Sequence, residues 1–443
     1  MQNKIYDTSR LDRSNLRTAV RMGEFCDVCG TIDQIVGMTV EARGITGNIG
    51  DVCEIRAAGG KTLLSEIVGF RDKKLLLMPY EDIEGVGYGS KIRNTGEKLR
   101  IRMSDELIGR TVDSLGLPID GRGEIGGTEL YSITGTPANP MERPPISEVL
   151  EFGVKAIDGM MTIGIGQRMG IFAGSGVGKS TLMGMIARNV SADVNVIALV
   201  GERGREVMEF INRDLGPEGA KRSVLVVATS NQPAMLRSKC ALTATTIAEY
   251  FKDKGLNVLL MMDSLTRYCM AEREIGLSIG EPPVARGYTP SIYASLPRLL
   301  ERCGKFRTGS ITGLFTVLVE GDDSNEPVSD TVRSIIDGHI MLSRKIAMMN
   351  HYPAIDVLAS LSRLMSEIAT PEQKKAAGEI RRLMSVYHEN QDLISIGAYK
   401  SGTNRELDNA IGKISKINDF LCQPVGERFT YSETINIMRQ ITS

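Results

Sequence analysis

The nine residues AGSGVGKST, 173–181, concentrate more chemistry than any other run in the chain. Gly174, Gly176 and Gly178 let backbone N–H groups converge on phosphate oxygens, Lys179 supplies a cation and Ser180 a hydroxyl for Mg²⁺. Strict phosphate loops begin with glycine where this chain has Ala173, a position at the start of the loop where a small residue passes. The alternative is a chance glycine-rich turn, and the flanks weigh against it. The strand-like GIFAG precedes the loop, and Leu182, Met185, Ile186 and Val190 follow on one face of a helix whose N-terminus would aim at the phosphates. Gly174, Ser175, Gly176, Val177, Gly178, Lys179, Ser180 and Thr181 are therefore expected to contact a nucleotide.

Two carboxylates fit the same chemistry. The apolar run NVLLMMD ends in Asp263, where a carboxylate can hold Mg²⁺ through water beside Lys179. Alone, such an Asp is as often an ordinary strand end. In VIALVGERGRE, Glu202 is placed to polarise an attacking water, with Arg203 or Arg205 orienting it, and a Glu–Arg surface pair is the alternative. Cys26 and Cys29 form a lone CxxC with no second pair at zinc spacing, so small core residues are expected and no zinc is assigned. His339, His351 and His388 are isolated, and Met261, Met262, Met348 and Met349 read as fillers of core or interface gaps.

These groups need a scaffold, and the chain supplies one in segments. Residues 1–21 carry spaced Arg10, Arg13, Arg17 and Arg21 without the apolar centre of a signal peptide, which suits a docking segment. From 22 to 92, short β-prone pieces separated by glycine predict a small β-barrel. The stretch 93–165 reads as an ordered, proline-rich connector. Beyond it the apolar runs RMGIFAG, VNVIALVGE, SVLVVATS, NVLLMMDS, ITGLFTVLVEG and HIMLSR alternate with helical patterns, the rhythm of a buried parallel sheet, so 93–369 is taken as the α/β core domain. At TPEQ a helix starts, with Thr370 as N-cap, Pro371 at the first helical position and Gln373 completing a capping box. Helical patterns then fill 370–443.

Composition narrows the function classes. The 443 residues exceed one ordinary domain, and an apolar share of 42% excludes a disordered or fibrous chain. Lys and Arg number 53 against 54 Asp and Glu, so no general field gathers nucleic acid or anionic membrane. Seven scattered Cys suit a reducing, cytoplasmic setting, and no apolar run approaches the roughly 20 residues that cross a bilayer.

GIFAGSGVGKST, VGERGREV, LLMMDSLTRY, REIGLSIGEPPVARGYTPSIYASLPRLLERCG and YPAIDVLASLSR together resemble the ATPases of type III protein export, relatives of the α and β subunits of rotary ATP synthases. The likeness covers nearly the whole chain, and its flagellar form is nearer than its injectisome form. It implies a RecA-like P-loop core between an N-terminal β-barrel and a C-terminal helical domain, with ATP and Mg²⁺ as cofactors. By position it makes Lys179 and Ser180 the phosphate and Mg²⁺ ligands, Glu202 the catalytic glutamate with Arg203 beside it, and Asp263 the second metal-site residue. Arg363 in ASLSRLM stands where the family places an arginine finger that reaches the γ-phosphate of a neighbouring subunit. Tyr352 in HYPAID matches the aromatic that packs on adenine, while Phe429 in QPVGERFT is either the other side of that pocket or a buried core aromatic.

With the loop, Glu202 and Arg363 on one chain, identical copies could complete one another's sites, which predicts a homohexamer. The likeness also implies a peripheral-stalk-like regulator on the N-terminal segment, a central coiled-coil stalk, an export gate, and export substrates with their chaperones, at the inner face of the cell membrane. A nucleic-acid translocase of similar architecture is disfavoured because the barrel segment lacks aromatics clustered among basic residues. A nucleotide-holding structural subunit is opposed by Glu202.

Overall fold

The computed structural model describes residues 28–135, 137–319 and 326–443, so the expected docking segment 1–21 and Cys26 lie outside the described residues. Two compact units divide between Glu97 and Lys98.

In the first unit, strands β1 (Cys29–Val36), β2 (Thr39–Arg43), β3 (Asp51–Arg56), β4 (Thr62–Arg71), β5 (Lys74–Pro79) and β6 (Lys91–Lys98) close into a barrel in the order β1-β2-β5-β4-β3-β6. Alternate residues turn inward as a pleated strand requires, and Ile32, Val40, Ile55, Leu63, Ile67 and Leu77 are wholly buried. The β4–β5 hairpin turns on Asp72 and Lys73, both at positive φ (48° and 63°), the mirror-image turn whose twist suits two-residue hairpins. The last strand differs from the expected limit at 92. Most of GVGYGSKI is loop, and the closing strand runs on through polar residues to Lys98. Hydrogen bonds hold that polar tail, with Thr95 donating to the Val52 carbonyl at 2.7 Å.

The second unit is organised by one sheet. Its strands are β8 (Thr111–Val112), β10 (Arg168–Ala173), β11 (Val194–Glu202), β12 (Ser223–Thr229), β13 (Asn257–Asp263), β14 (Gly304–Lys305), β15 (Ser310–Leu318), β16 (Gly338–Leu342) and β17 (Ile355–Ser362). The order is β17-β16-β10-β15-β13-β11-β12-β8, with β14 paired to β15. From β16 to β8 neighbouring strands are parallel, and β17 runs antiparallel at the edge.

Both faces of this sheet are covered, which explains the uninterrupted apolar runs. In β11, Ile197 and Leu199 join the core on one face while Val194, Val196, Ala198 and Val200 join the core on the other. In β13, Leu259 and Met261 oppose Val258, Leu260 and Met262 in the same way.

The expected connector 93–165 contributes to the structure directly. β7 (Arg100–Met103) and β9 (Glu129–Ser132) form an antiparallel ribbon, and β8 extends the main sheet beside β12. The C-terminal helices Pro371–Glu389, Arg405–Leu421 and Tyr431–Thr442 share a core with the sheet, where Ile380, Phe420 and Met438 are buried alongside Ile157 and Met160.

The expected capping box at TPEQ is half formed. The Thr370 side chain accepts the Gln373 N–H, but the Gln373 side chain is buried and donates to the carbonyls of Asp158 and Gly159 and to Thr162 Oγ1. Burial in a polar niche outcompetes the local cap, because those acceptors have no water to turn to. The complete capping box lies at Thr430 and Glu433. Among the described residues, no helix is long and apolar enough to cross a membrane.

Candidate nucleotide site

Parallel strands place their carboxyl ends on one edge of a sheet, and ligands of such sheets bind there. The phosphate loop leaves β10, Glu202 ends β11 and Asp263 ends β13. The loop and Glu202 line a cleft of about 630 Å³, and Asp263, 84 positions beyond Lys179 in the chain, meets them through that lysine.

The loop's shape depends on glycine at two points. Gly176 (φ 77°) and Gly178 (φ 85°) take the left-handed conformation, which side chains with a Cβ adopt only at a cost. The helix Lys179–Asn189 then begins at once, and Leu182, Met185, Ile186 and Val190 are buried as their spacing predicts. Seven of the eight loop residues line the cleft: Gly174, Ser175, Gly176, Gly178, Lys179, Ser180 and Thr181. Val177 corrects the sequence expectation in part, since its side chain is buried in the core and only its backbone is left for a ligand.

Lys179 Nζ is paired with Asp263 Oδ1 and lies 4.0 Å from Glu202 Oε1. Thr316 Oγ1 donates to the same Asp263 oxygen at 2.7 Å, fixing the carboxylate from behind. Ser180, Glu202 and Asp263 border one recess. The hydroxyl and carboxylate there are hard oxygen donors of the kind that hold Mg²⁺ together with water and substrate phosphates. Burial, then the neighbouring Asp263 carboxylate, push the Glu202 carboxyl well above the usual carboxylate range, with Lys179 opposing them.

Arg203 lines the cleft with its side chain largely exposed, and its ion pair is with Glu206 at 3.2 Å rather than with Glu202. Arg205 is exposed and is not among the cleft-lining residues. Three cations that the sequence analysis did not single out do line the cleft: Arg213, Arg267 and Arg344. Arg267 follows Asp263 by four residues, and its Nε is buried without a hydrogen-bond partner among the protein atoms. Arg344 follows the end of β16 by two residues. For Arg267 and Arg344 a usable signal was a basic residue within about four positions of a parallel strand's carboxyl end; Arg213, eleven residues beyond β11, carries no such mark.

Arg363 is exposed immediately after β17 and does not line its own chain's cleft. Its backbone N–H donates to the Asp337 carbonyl at 3.0 Å. β17, unmarked in the sequence, is what carries it.

Tyr352 is 43% exposed, and its ring stands 3.5 Å from where a Cβ on Gly178 would be. Phe429 is half-buried, with the Lys155 ammonium 4.6 Å from its ring centroid. Gln423, absent from the sequence expectations, ties the two aromatic segments together. Its backbone N–H donates to the Tyr352 carbonyl at 2.9 Å, and its side-chain amide donates to the Glu427 carbonyl, two residues before Phe429, also at 2.9 Å.

Comparison with known proteins agrees with this layout. Residues 32–96 match the β-barrel domain of the ATP synthase alpha/beta family, 153–362 its nucleotide-binding domain, and 369–440 the T3SS EscN ATPase C-terminal domain. The flagellum-specific ATP synthase of Bacillus subtilis is 53% identical over 415 residues, covering 93% of this chain and 95% of that protein. The assembled ATPase EscN of the enteropathogenic E. coli type III secretion system superposes with a TM-score of 0.89 at 44% identity, covering 94% of this chain and all of that one. EscN in complex with its central stalk EscO gives 0.87 at 43% identity, with the same coverage. With a barrel, a nucleotide-binding sheet bearing a phosphate loop and strand-end carboxylates, and a helical C-terminus matched in that order, the chain belongs to the ATP synthase alpha/beta family, in the branch of the flagellum-specific and type III secretion ATPases.

Proposed function

We propose that the chain hydrolyses Mg-ATP to energise flagellar-type protein export, as one subunit of a homohexamer. The carrying observation is the division of charged groups: Glu202 and Asp263 converge on Lys179 at the cleft while Arg363 is exposed outside it. Because Arg363 lies outside its own chain's cleft, the arginine finger that the family likeness implies suits supply by a neighbouring copy.

An arriving triphosphate takes the Lys179 ammonium from Asp263, and the loop N–H groups from Gly174 to Thr181 receive its oxygens. Ser180 and Asp263 hold Mg²⁺, which when bound neutralises phosphate charge. Glu202 in its ionised form orients the attacking water and accepts its proton. Arg203 stands at the same mouth, and Arg363 of one copy reaches the γ-phosphate held by the next. Tyr352 and Phe429 receive the adenine.

By likeness to the assembled EscN and its stalk complex, the ring encloses a central coiled-coil stalk. Residues 1–21 dock a peripheral-stalk-like regulator, and the ring sits on the cytoplasmic side of the membrane at an export gate, where it unloads chaperones from substrates. An injectisome role is the second reading, favoured by the EscN match.

Steady-state ATPase activity against protein concentration, with mass photometry on the same samples, tests the core of this proposal. Specific activity that climbs as six-subunit rings form supports it. Activity independent of concentration rules out shared sites.

A further inference from the structure

Lys155 is a buried lysine without a carboxylate partner. It opens the short helix Lys155–Met160 and is 7% exposed. Among the described residues no Asp or Glu comes within ion-pair distance of its Nζ, and the oxygen nearest it in hydrogen bonding is the Asp419 carbonyl at 3.4 Å. What surrounds the ammonium instead is aromatic: the Phe429 ring centroid at 4.6 Å and that of Phe420 at 5.9 Å. Burial pulls the ammonium's pKa down, and the Glu427 carboxylate opposes this. A buried cation is costly, and a leucine or methionine would fill the same space, so a purely structural role leaves the charge unexplained.

The backbone of the same residue belongs to the clamp that joins the two aromatic segments. The Lys155 N–H donates to Gln423 Oε1 at 2.9 Å, and Gln423 Nε2 donates to the carbonyls of Gly153 and Glu427, each at 2.9 Å. The Phe429 N–H points at the Gly153 carbonyl, 3.5 Å away, and the Gln423 N–H holds the Tyr352 carbonyl. One buried glutamine and one buried lysine thus fix Tyr352 and Phe429 relative to the segment 153–155.

We propose that Lys155 is a positioning residue for the base end of the nucleotide site: its ammonium holds the Phe429 ring by a cation–π contact, within the frame that Gln423 sets, so that Phe429 and Tyr352 present their faces to adenine. This rests on the assignment of those two aromatics to the base. Lys155 touches no reacting atom, so its effect belongs in nucleotide affinity and not in the chemical step.

The experiment measures binding of Mg-ATP and of Mg-tripolyphosphate, which has no base, to the full-length protein by calorimetry. Lys155→Met is expected to weaken ATP about 3- to 30-fold, the span of a desolvated cation–π contact, and to leave tripolyphosphate within about two-fold. Lys155→Arg restores most of the loss. In a Phe429→Leu background, Lys155→Met adds nothing further. Should Lys155→Met not fold, Lys155→Gln, which keeps a polar end for the Asp419 carbonyl while removing the charge, carries the same comparison. Equal losses for ATP and tripolyphosphate, or an undiminished loss in the Phe429→Leu background, overturn the proposal. If Phe429→Leu weakens ATP and the Lys155 variants do not, the proposal alone fails. If Phe429→Leu and Tyr352→Ala both leave ATP binding unchanged, the assignment of the base pocket fails with it.

Discussion

The two ends of the nucleotide cleft are built on opposite plans. At the phosphate end, eight consecutive residues, 174–181, supply the loop, and two strand ends add Glu202 and Asp263. At the end proposed for the base, Gly153, Lys155, Tyr352, Gln423 and Phe429 come from segments up to 276 residues apart and are held together through backbone carbonyls and one glutamine side chain. The difference follows from the ligand. Phosphate oxygens are met by successive N–H groups, which a contiguous turn provides. A flat base is gripped on its faces, and two faces call for side chains arriving from different directions. Arg363 belongs to neither end, since it is exposed beyond the edge strand and away from its own cleft.

Substitutions should separate these regions by the size and kind of their effect. Arg363→Ala is expected to cost the most, about 10³ to 10⁵ in turnover, while rings still assemble. Unchanged turnover in assembled rings would place the finger elsewhere. Glu202→Gln should lower kcat by roughly 10² to 10⁴ and leave ATP affinity nearly intact, a split read from single-turnover rates beside equilibrium binding. A matching loss of affinity would instead make Glu202 part of the phosphate grip. Tyr352→Ala should act in the reverse sense, weakening ATP by roughly 5- to 100-fold with tripolyphosphate binding unmoved. A loss shared by both ligands would erase the distinction between the two ends.

The smallest effect concerns pH. Because burial and Asp263 raise the Glu202 carboxyl in the folded chain, folding favours its protonated form. That contribution is complete below the ordinary value of 4.5 and is lost as pH rises through the folded value of about 7. Nucleotide-free wild type should therefore lose thermal stability relative to Glu202→Gln between about pH 4.5 and 7, and run parallel to it above. Melting curves of the two proteins across that range check the sign.

Legibility in the sequence followed burial. β11 and β13 were visible because both faces are covered and apolar residues on each face give long apolar runs, 196–200 and 258–262. β17 was not, because at the sheet edge Leu358 and Leu361 remain exposed and Asp356, Ser360 and Ser362 interrupt the pattern. β6 was cut short at Ile92 for a related reason, since its polar second half pairs without burying apolar side chains. Gln373 was assigned to a helix cap by local spacing, yet its amide serves a buried niche shared with Asp158 and Thr162, more than 200 residues earlier in the chain.

The amino-acid sequence by itself determined the phosphate loop, the two strand-end carboxylates and the succession of barrel, buried sheet and helices. Each of these rests on local spacing: glycines that admit left-handed turns, apolar runs that must be buried, caps that start helices. Only the tertiary structure decided that Arg213, Arg267 and Arg344 face the cleft, that Arg363 does not, and that Lys155 and Gln423 join the segments of Tyr352 and Phe429. Those placements depend on the order of strands in the sheet and on hydrogen bonds between segments far apart in the chain, and neither leaves a periodic mark on the residues that take part.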